Sequence, residues 1–328
     1  MRFGPVPLDQ AEGAILAHNL FGPHGRRTHR KGIVISAQLL AELRAAGWIE
    51  LWVARLEEDE LHEDEVAGRI GTACVGAGVV ASSPHQARVN LTAEVPGVLR
   101  IQESVIHALN RIHGVTVATR RPDTWVEGGE RVATVKIVTY GIPEDEVARA
   151  QELAGPEGVL GVESIARVQV GLLLVGRQGR RSPRLAAMAQ AIGSRVAGFG
   201  ARIEETKVVA AEPRAIGQAI RSLMAQGMAC VIVAGETAIM DSADIIPRGV
   251  TEGGGTVEHF GVPVDPGHLL FLAYHGDVPI LGTPGCVQGT NPDAVDLVLP
   301  RLLAGERVQG DDLVSLGCGG LLSPHGRP

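Results

Sequence analysis

The stretch Val168-Gln-Val-Gly-Leu-Leu-Leu-Val175 is apolar almost without interruption. A strand with one solvated face would carry a polar residue at every second position, so this one has to be covered on both faces. Such burial belongs to parallel sheets wrapped by crossover helices, and the residues that follow supply that alternation. Ser182 can cap a helix that opens on Pro183 and runs to about residue 196. A strand is expected around residues 203–209, a helix over 213–225, and a third buried strand over 228–234 that ends in Gly235. Short strands near 256–259, 269–273 and 279–281 and a helix over 292–303 complete a three-layer α/β/α domain with a mainly parallel sheet. Right-handed crossovers bring the loops after Val175, Ala234 and Leu281 to one rim, where ligands of such sheets bind.

The 328 residues leave room for more than this domain, which is expected over 165–310 with a C-terminal tail at 311–328. Ahead of it a smaller α+β region is expected, with an N-terminal segment at 1–80 and a β-rich segment at 81–150. In the first, an extended start, a helix over 36–46 and a strand over 49–53 precede the acidic run 57–65. That run leads into a helix carrying Val66, Ile70 and Cys74. In the second, residues 88–95 and 98–101 flank a Pro96-Gly97 turn, and 125–126 and 131–138 flank Gly128-Gly129, the pattern of hairpins. A helix is expected over 103–112, and 141–163, with its Gly155-Pro156 breaker, reads as the linker.

Composition excludes several classes. Only ten aromatic residues (five Phe, two Tyr, three Trp) and a net charge of −7 argue against stacking platforms or phosphate-neutralising stripes, so no nucleic-acid partner is expected. The N-terminus has no export-signal profile and no apolar run is long enough to span a bilayer, so a cytoplasmic protein with no membrane partner is expected. Cys74, Cys230, Cys286 and Cys318 are far apart, without zinc or redox-dithiol spacing.

The rim carries the candidate chemistry. The loop Gly176-Arg-Gln-Gly-Arg-Arg-Ser182 sits between a buried strand and a helix N-terminus. Backbone N–H groups and the positive helix end attract an anion there, reinforced by Arg177, Arg180 and Arg181. It matches neither the NTPase P-loop nor the dinucleotide fingerprint. After the third strand comes Gly235-Glu236-Thr237-Ala238-Ile239-Met240-Asp241-Ser-Ala-Asp244. Gly235 would let the backbone approach a ligand, Thr237 offers a hydroxyl, and Asp241 and Asp244 could hold Mg²⁺ or molybdate-linked water, or act in proton transfer. Either aspartate could equally be only a helix cap. Glu236, anionic directly after a buried strand, wants a cation or donor, and Arg177 or Arg181 could close the phosphate site by supplying it. Asp265-Pro266-Gly267 and Pro284-Gly285-Cys286 are further rim turns.

The order of the Gly235 loop, Asp244-Ile-Ile-Pro247, Gly253-Gly-Gly255, Pro266-Gly267 and Pro284-Gly285 resembles the molybdopterin-binding domain. Molybdopterin adenylyltransferases, molybdenum insertases, gephyrin and competence-damage proteins share that domain. The resemblance covers about residues 167–308. Ala11-Glu-Gly-Ala14, Lys31-Gly32, Arg88-Val-Asn-Leu91 and Val132-Ala-Thr-Val-Lys-Ile137 resemble the front half of insertase-related members. In this chain Glu236 replaces the family's second loop glycine, Asp265 replaces a lysine, and the insertases' Asp-Gly-Tyr-Ala motif is absent.

The resemblance implies a molybdopterin-binding protein that makes, carries or inserts the molybdenum cofactor, in homo-oligomeric form, for a molybdenum hydroxylase apoenzyme. The ligand would be molybdopterin or its nucleotide form. Gly176, Arg177, Arg181, Ser182, Gly235, Glu236, Thr237, Ala238, Asp265, Pro266, Gly267, Pro284, Gly285 and Cys286 would line the site. Asp241 and Asp244 would be catalytic and bind Mg²⁺ in a magnesium-dependent transferase. The alternatives are a non-catalytic carrier or sensor with a degenerate loop, and a competence-damage-type nucleotide pyrophosphate hydrolase. Outside the rim, His259 and His268 bracket the Asp265 turn, and His85, Arg88 and Lys136 are candidates to face a partner.

Overall fold

The computed structural model describes residues 1–22, 24–177, 182–289 and 291–322. They form two compact units, one built mainly from residues 1–162 and the other mainly from residue 163 onward.

The second unit is organised by its central strands. Strand β1 (Gln169–Gly176) leads through helix α1 (Pro183–Gly198) to β2 (Arg202–Ala210). Helix α2 (Pro213–Ala225) then returns the chain to β3 (Cys230–Gly235) on the other side of β1. After α3 (Ile245–Glu252) come β4 (Thr256–Phe260), β5 (Phe271–His275), β6 (Val278–Gly282), α4 (Ala294–Ala304) and a short α5 (Gly310–Ser315). The six strands lie in the order β2-β1-β3-β6-β5-β4. Strands β2, β1, β3 and β6 are mutually parallel, and β5 runs antiparallel to both of its neighbours.

Alternate side chains of β1 and β3 enter two different cores. Val170, Leu172 and Leu174 join Cys230, Ile232 and Ala234 beneath α1 and α4, whereas Leu173 and Val175 join Val231 and Val233 beneath α2 and α3. The expected three-layer α/β/α domain is therefore present, with helices on both faces. Edge strand β2 carries Arg202, Glu204, Glu205 and Lys207 and has no fully buried residue, which blunts an otherwise sticky edge. Residues beyond 310 are part of the unit, because Leu313 is buried and Leu316 and Leu322 pack on the α1–α4 core.

The first unit holds two cores. One gathers Leu8, Leu16, Ile35, Leu43, Leu51 and Val53 around the helix Ala37–Ala45, which Ser36 caps through the Leu39 N–H. The other packs the helices Glu63–Ala73 and Glu144–Ala154 on a sheet ordered Val115–Thr119, Arg131–Ile137, Arg88–Ala93, Val79–Ala81.

Two expected hairpins do not form. Arg88–Ala93 pairs with Arg131–Ile137 and Val79–Ala81, while Gly97–Ile101 pairs with Trp125–Val126 and Leu160–Glu163. The main chain of Ala93 is already taken by Glu130 O and Gly129 N, and Pro96 has no N–H to give a ladder. Residues 141–163 are not a linker either. Leu160–Glu163 is a strand in that three-stranded sheet, and the Val159 and Leu160 N–H groups both donate to Cys74 O. The helix expected over 103–112 stops at Leu109.

Gly282, at the end of β6, is fixed by packing: a Cβ there would lie 1.8 Å from Cε1 of buried Phe271 on β5. Neither backbone nor ring can move without opening the core, so Gly282→Ala should lower unfolding free energy by about 3 kcal/mol. Urea denaturation checks this; an unchanged midpoint would show that the ring has free space to move into.

Candidate functional site

The strand order reverses between β1 and β3. From β1 the chain leaves toward α1 on one face, and from β3 it leaves toward α3 on the other. The two loops diverge and leave a crevice at the carboxyl ends of the strands, the usual ligand position in such sheets. Gly176 and Gly235 end these strands, and both are buried. At Gly235 the added Cβ would sit 2.8 Å from Ile246 Cδ1, so its lack of a side chain serves the close packing of α3.

Glu236 spans the crevice. Its Oε2 accepts a hydrogen bond from the Arg177 N–H at 3.0 Å, and its own N–H donates to Val175 O. Ser182 Oγ caps α1 by accepting from the Leu185 N–H at 3.2 Å. The nearby Ser182 hydroxyl first, then the Arg177 N–H and the charges of Arg177 and Arg184, hold the Glu236 carboxyl below the usual carboxylate range. The Arg177 amide at the end of β1 thus holds the protein's own carboxylate, close to the start of α1. Arg180 and Arg181 lie outside the described residues.

The rest of the second loop is turned inward on itself. Asp244 is the N-cap of α3: one carboxylate oxygen accepts from the Ile245 N–H and the other from the Met240 N–H at 3.0 Å. Asp241 accepts from the Ala243 N–H at 2.7 Å. Both carboxylates are thus engaged by backbone amides of their own loop. Among the described residues no group of three or more His, Cys, Asp and Glu side chains could hold a metal ion. The described residues hold no ready-made ligand group for magnesium or molybdate at Asp241 and Asp244; Asp244 is a helix cap, the other role expected of it, and Asp241 bonds an amide within its own loop. Thr237 is exposed and Ala238 half-buried. Met240 is 68% exposed, and Ile239 is buried and lines the crevice. Between Arg177, Glu236, Ala238 and Asp244 the described residues leave a cavity of about 40 Å³, room for a few waters.

The remaining rim turns lie at the same edge of the sheet, since Phe271 at the start of β5 pairs with Gly282 at the end of β6. Gly267 has φ +135°, and a Cβ there would meet Ala294 at 2.4 Å, so the Asp265-Pro266-Gly267 turn abuts the start of α4. Asp265 itself is exposed, 3.8 Å from His268. Pro284 is buried, Gly285 half-buried, and the Arg184 guanidinium of α1 lies 4.0 Å from where a Gly285 Cβ would be.

Two residues that sequence reasoning passed over hold this edge together. Arg195 of α1 donates to Val287 O, Gly289 O and Asn291 O and pairs with Asp293 and Asp296, hanging the whole 287–296 segment from one helix. Asp293, 1% exposed, caps α4 in a capping box with Asp296. The Asp-x-x-Asp spacing ahead of an apolar helix was a legible signal for the cap. Nothing in the sequence marks Arg195, one of two arginines on a helix that is mostly not buried. Burial pushes the Asp293 carboxyl up to about 6, against the pull of the Val295 N–H and Arg195. Desolvation and the Asp293 charge, 3.9 Å from its sulfur, push the Cys286 thiol up to about 11. Cys286 is therefore a protonated thiol near neutrality and a poor nucleophile or metal ligand.

Two tests follow from these groups. Because the folded state holds the Asp293 proton more tightly than the unfolded chain, this group's contribution to stability is full below pH 3.8 and lost as pH rises through about 6. The stability difference between wild type and Asp293→Asn should therefore move in the variant's favour between pH 4 and 7, as read by denaturation at each pH. A constant difference would mean no raised carboxyl. Cys286 and Cys318 are both exposed, but with iodoacetamide at pH 7.5 Cys318 should react in the fast phase and Cys286 should lag behind it because its thiol is pushed up, and Cys74 and Cys230 should be protected by burial. Cys318→Ser should abolish the fast phase, and its survival would mean that Cys286 is ionised.

A family model described as a domain of unknown function (DUF8806) matches residues 5–55. No curated protein matches the chain. Among solved structures, the chain is similar to a molybdenum cofactor biosynthesis protein B, at 11% identity and TM-score 0.31, covering 43% of this chain and 96% of that one. It is also similar to the molybdopterin biosynthesis MoeA protein from Pyrococcus horikosii, at 11% identity and TM-score 0.31, covering 93% of this chain and 76% of that one. Neither likeness transfers a ligand or an activity to this chain.

Proposed function

We propose that the C-terminal unit binds a phosphate-bearing pterin of the molybdopterin type at the β1–β3 crevice, and that it serves in the biosynthesis, carriage or insertion of the molybdenum cofactor. The observation that carries this reading is the Glu236 carboxylate held by the Arg177 N–H, with the Ser182 hydroxyl that caps α1 beside it lowering its pKa. Groups that hold a carboxylate there are the groups a phosphate oxygen needs, and they stand at the switch point of a parallel sheet. The resemblance of the Gly235, Asp244, Pro266-Gly267 and Pro284-Gly285 turns, in their order, to the molybdopterin-binding domain is what favours a pterin among phosphate-bearing ligands.

Binding of this kind requires Glu236 to leave. A cavity of about 40 Å³ is far below the roughly 300 Å³ at which ligand pockets begin. In the binding state the carboxylate swings out, the phosphate takes its place on the Arg177 amide and Ser182, and Arg184 adds charge at the Gly285 side. Carriage is favoured over turnover by the state of the second loop, where Asp241 and Asp244 each accept main-chain amides of their own loop and belong to no group of three or more candidate metal ligands among the described residues.

The test is isothermal titration of the full chain with molybdopterin or a stable phosphopterin. Glu236→Ala should bind at least tenfold more tightly than wild type, because it loses an internal competitor for the same donors. Equal affinities, or none in either protein, would remove the crevice as a phosphate site. Recovery of unaltered ligand after prolonged incubation supports carriage, and its conversion overturns it.

A further inference from the structure

A cavity much larger than that at the rim lies in the N-terminal unit. It measures about 990 Å³, and every residue that lines it belongs to that unit. Five lysines and arginines face it (Arg27, Arg30, Lys31, Arg88 and Lys136), against two carboxylates, Glu63 and Asp64. This is a local excess of positive charge in a chain whose net charge is −7. Both carboxylates already have work to do. Asp64 accepts the Ala87 N–H at 2.5 Å, and Glu63 is a half-buried group that Lys136 and Lys31 keep from rising further in pKa. Glu63 offsets Lys136 and Lys31 only in part, and Lys31 and Arg88 act against the charge of Lys136. Cations in excess around one hollow repel one another, and an anion relieves that repulsion.

Two further observations bear on the ligand. The backbone at the cavity wall is held in an unfavourable form: Gln86 and Ala87 have φ of 51° and 60°, left-handed values that non-glycine residues rarely adopt. Asp64 on the Ala87 N–H and Lys136 Nζ on Gln86 O, at 2.6 Å, keep them there. Strain of this kind persists where surroundings enforce it, commonly at ligand clamps. The second is aromatic. Phe3 and His18 line the cavity and pack with Trp52 in a three-ring cluster with centroids 5.7 to 6.1 Å apart. Phe3 and Trp52 are nearly half exposed, an unusual use of large apolar area unless something flat covers it.

We infer that this cavity is a second ligand site, independent of the rim, that takes a planar heterocycle bearing a phosphate or polyphosphate. The ring stacks at the Phe3–His18 side and the phosphates lie among Lys31, Arg88 and Lys136. Its volume falls within the range of small-molecule pockets, and stacking on aromatic faces tolerates many rings because each presents a π-face.

The test is titration of the full chain with ADP, GDP, pyrophosphate and adenosine, followed by calorimetry and by tryptophan fluorescence. Saturable binding of a nucleoside diphosphate is expected, with pyrophosphate weaker and adenosine weakest. Lys31→Ala and Arg88→Ala should each weaken ADP roughly tenfold. The Lys31 side chain donates no hydrogen bond to the described residues, so this variant should keep the wild-type melting profile. Phe3→Ala should weaken ADP roughly tenfold and leave pyrophosphate unchanged. Three results overturn the inference: no saturable binding of ADP, GDP or pyrophosphate; binding unaffected by both cation variants; or binding lost only on Arg177→Ala, which would put the ligand at the rim. An ADP affinity that ignores Phe3→Ala overturns it as well, because the ring would then have no seat.

Discussion

The C-terminal unit depends on one constraint, that β1 and β3 are apolar on both faces. A strand whose alternate residues enter separate cores cannot present either face to water, so helices must lie above and below it. Helices on both faces require crossovers in both directions from the centre of the sheet, and that produces the reversal between β1 and β3. The crevice at the carboxyl edge is therefore a geometric by-product of burial. Its chemistry comes from what the diverging loops place there: the Arg177 amide after β1, the end of β3, and the side chains nearest to both.

Much of this was readable in the residues. The run from Val168 to Val175, the Ser182-Pro183 helix start and the Pro213–Ala225 helix are local signals, and the structure reproduces them within one or two residues or without change. The N-terminal unit was less legible because its strands pair over long separations. A Pro-Gly or Gly-Gly turn between two apolar stretches looks like a hairpin, yet Arg88–Ala93 finds Arg131–Ile137 because the two together cover the helix Glu63–Ala73. Local turn chemistry had no access to that competition.

At the site the same division holds. That the 176–182 loop meets a helix start, and that Glu236 would seek donors there, followed from strand, loop and helix order. That Asp241 and Asp244 would spend their oxygens on their own loop depended on main-chain torsions that sequence does not specify. Arg195 was out of reach for another reason. Its partners are three carbonyls and two carboxylates more than ninety positions away, and such multiple, long-range satisfaction leaves no periodicity behind.

The Glu236 carboxylate has a consequence for selectivity. A side chain tethered next to its own donors behaves as a resident occupant at an effective concentration on the order of millimolar or higher. Any incoming anion must evict it before gaining anything, and the apparent affinity is reduced by the fraction of molecules in which the seat is vacant. Simple monoanions at cellular levels would be turned away, since they bring nothing the glutamate lacks. Only a guest with a doubly charged head and additional surface to lay against the rim could prevail, which makes a single acidic residue a sieve against the commonest small ions in the cell.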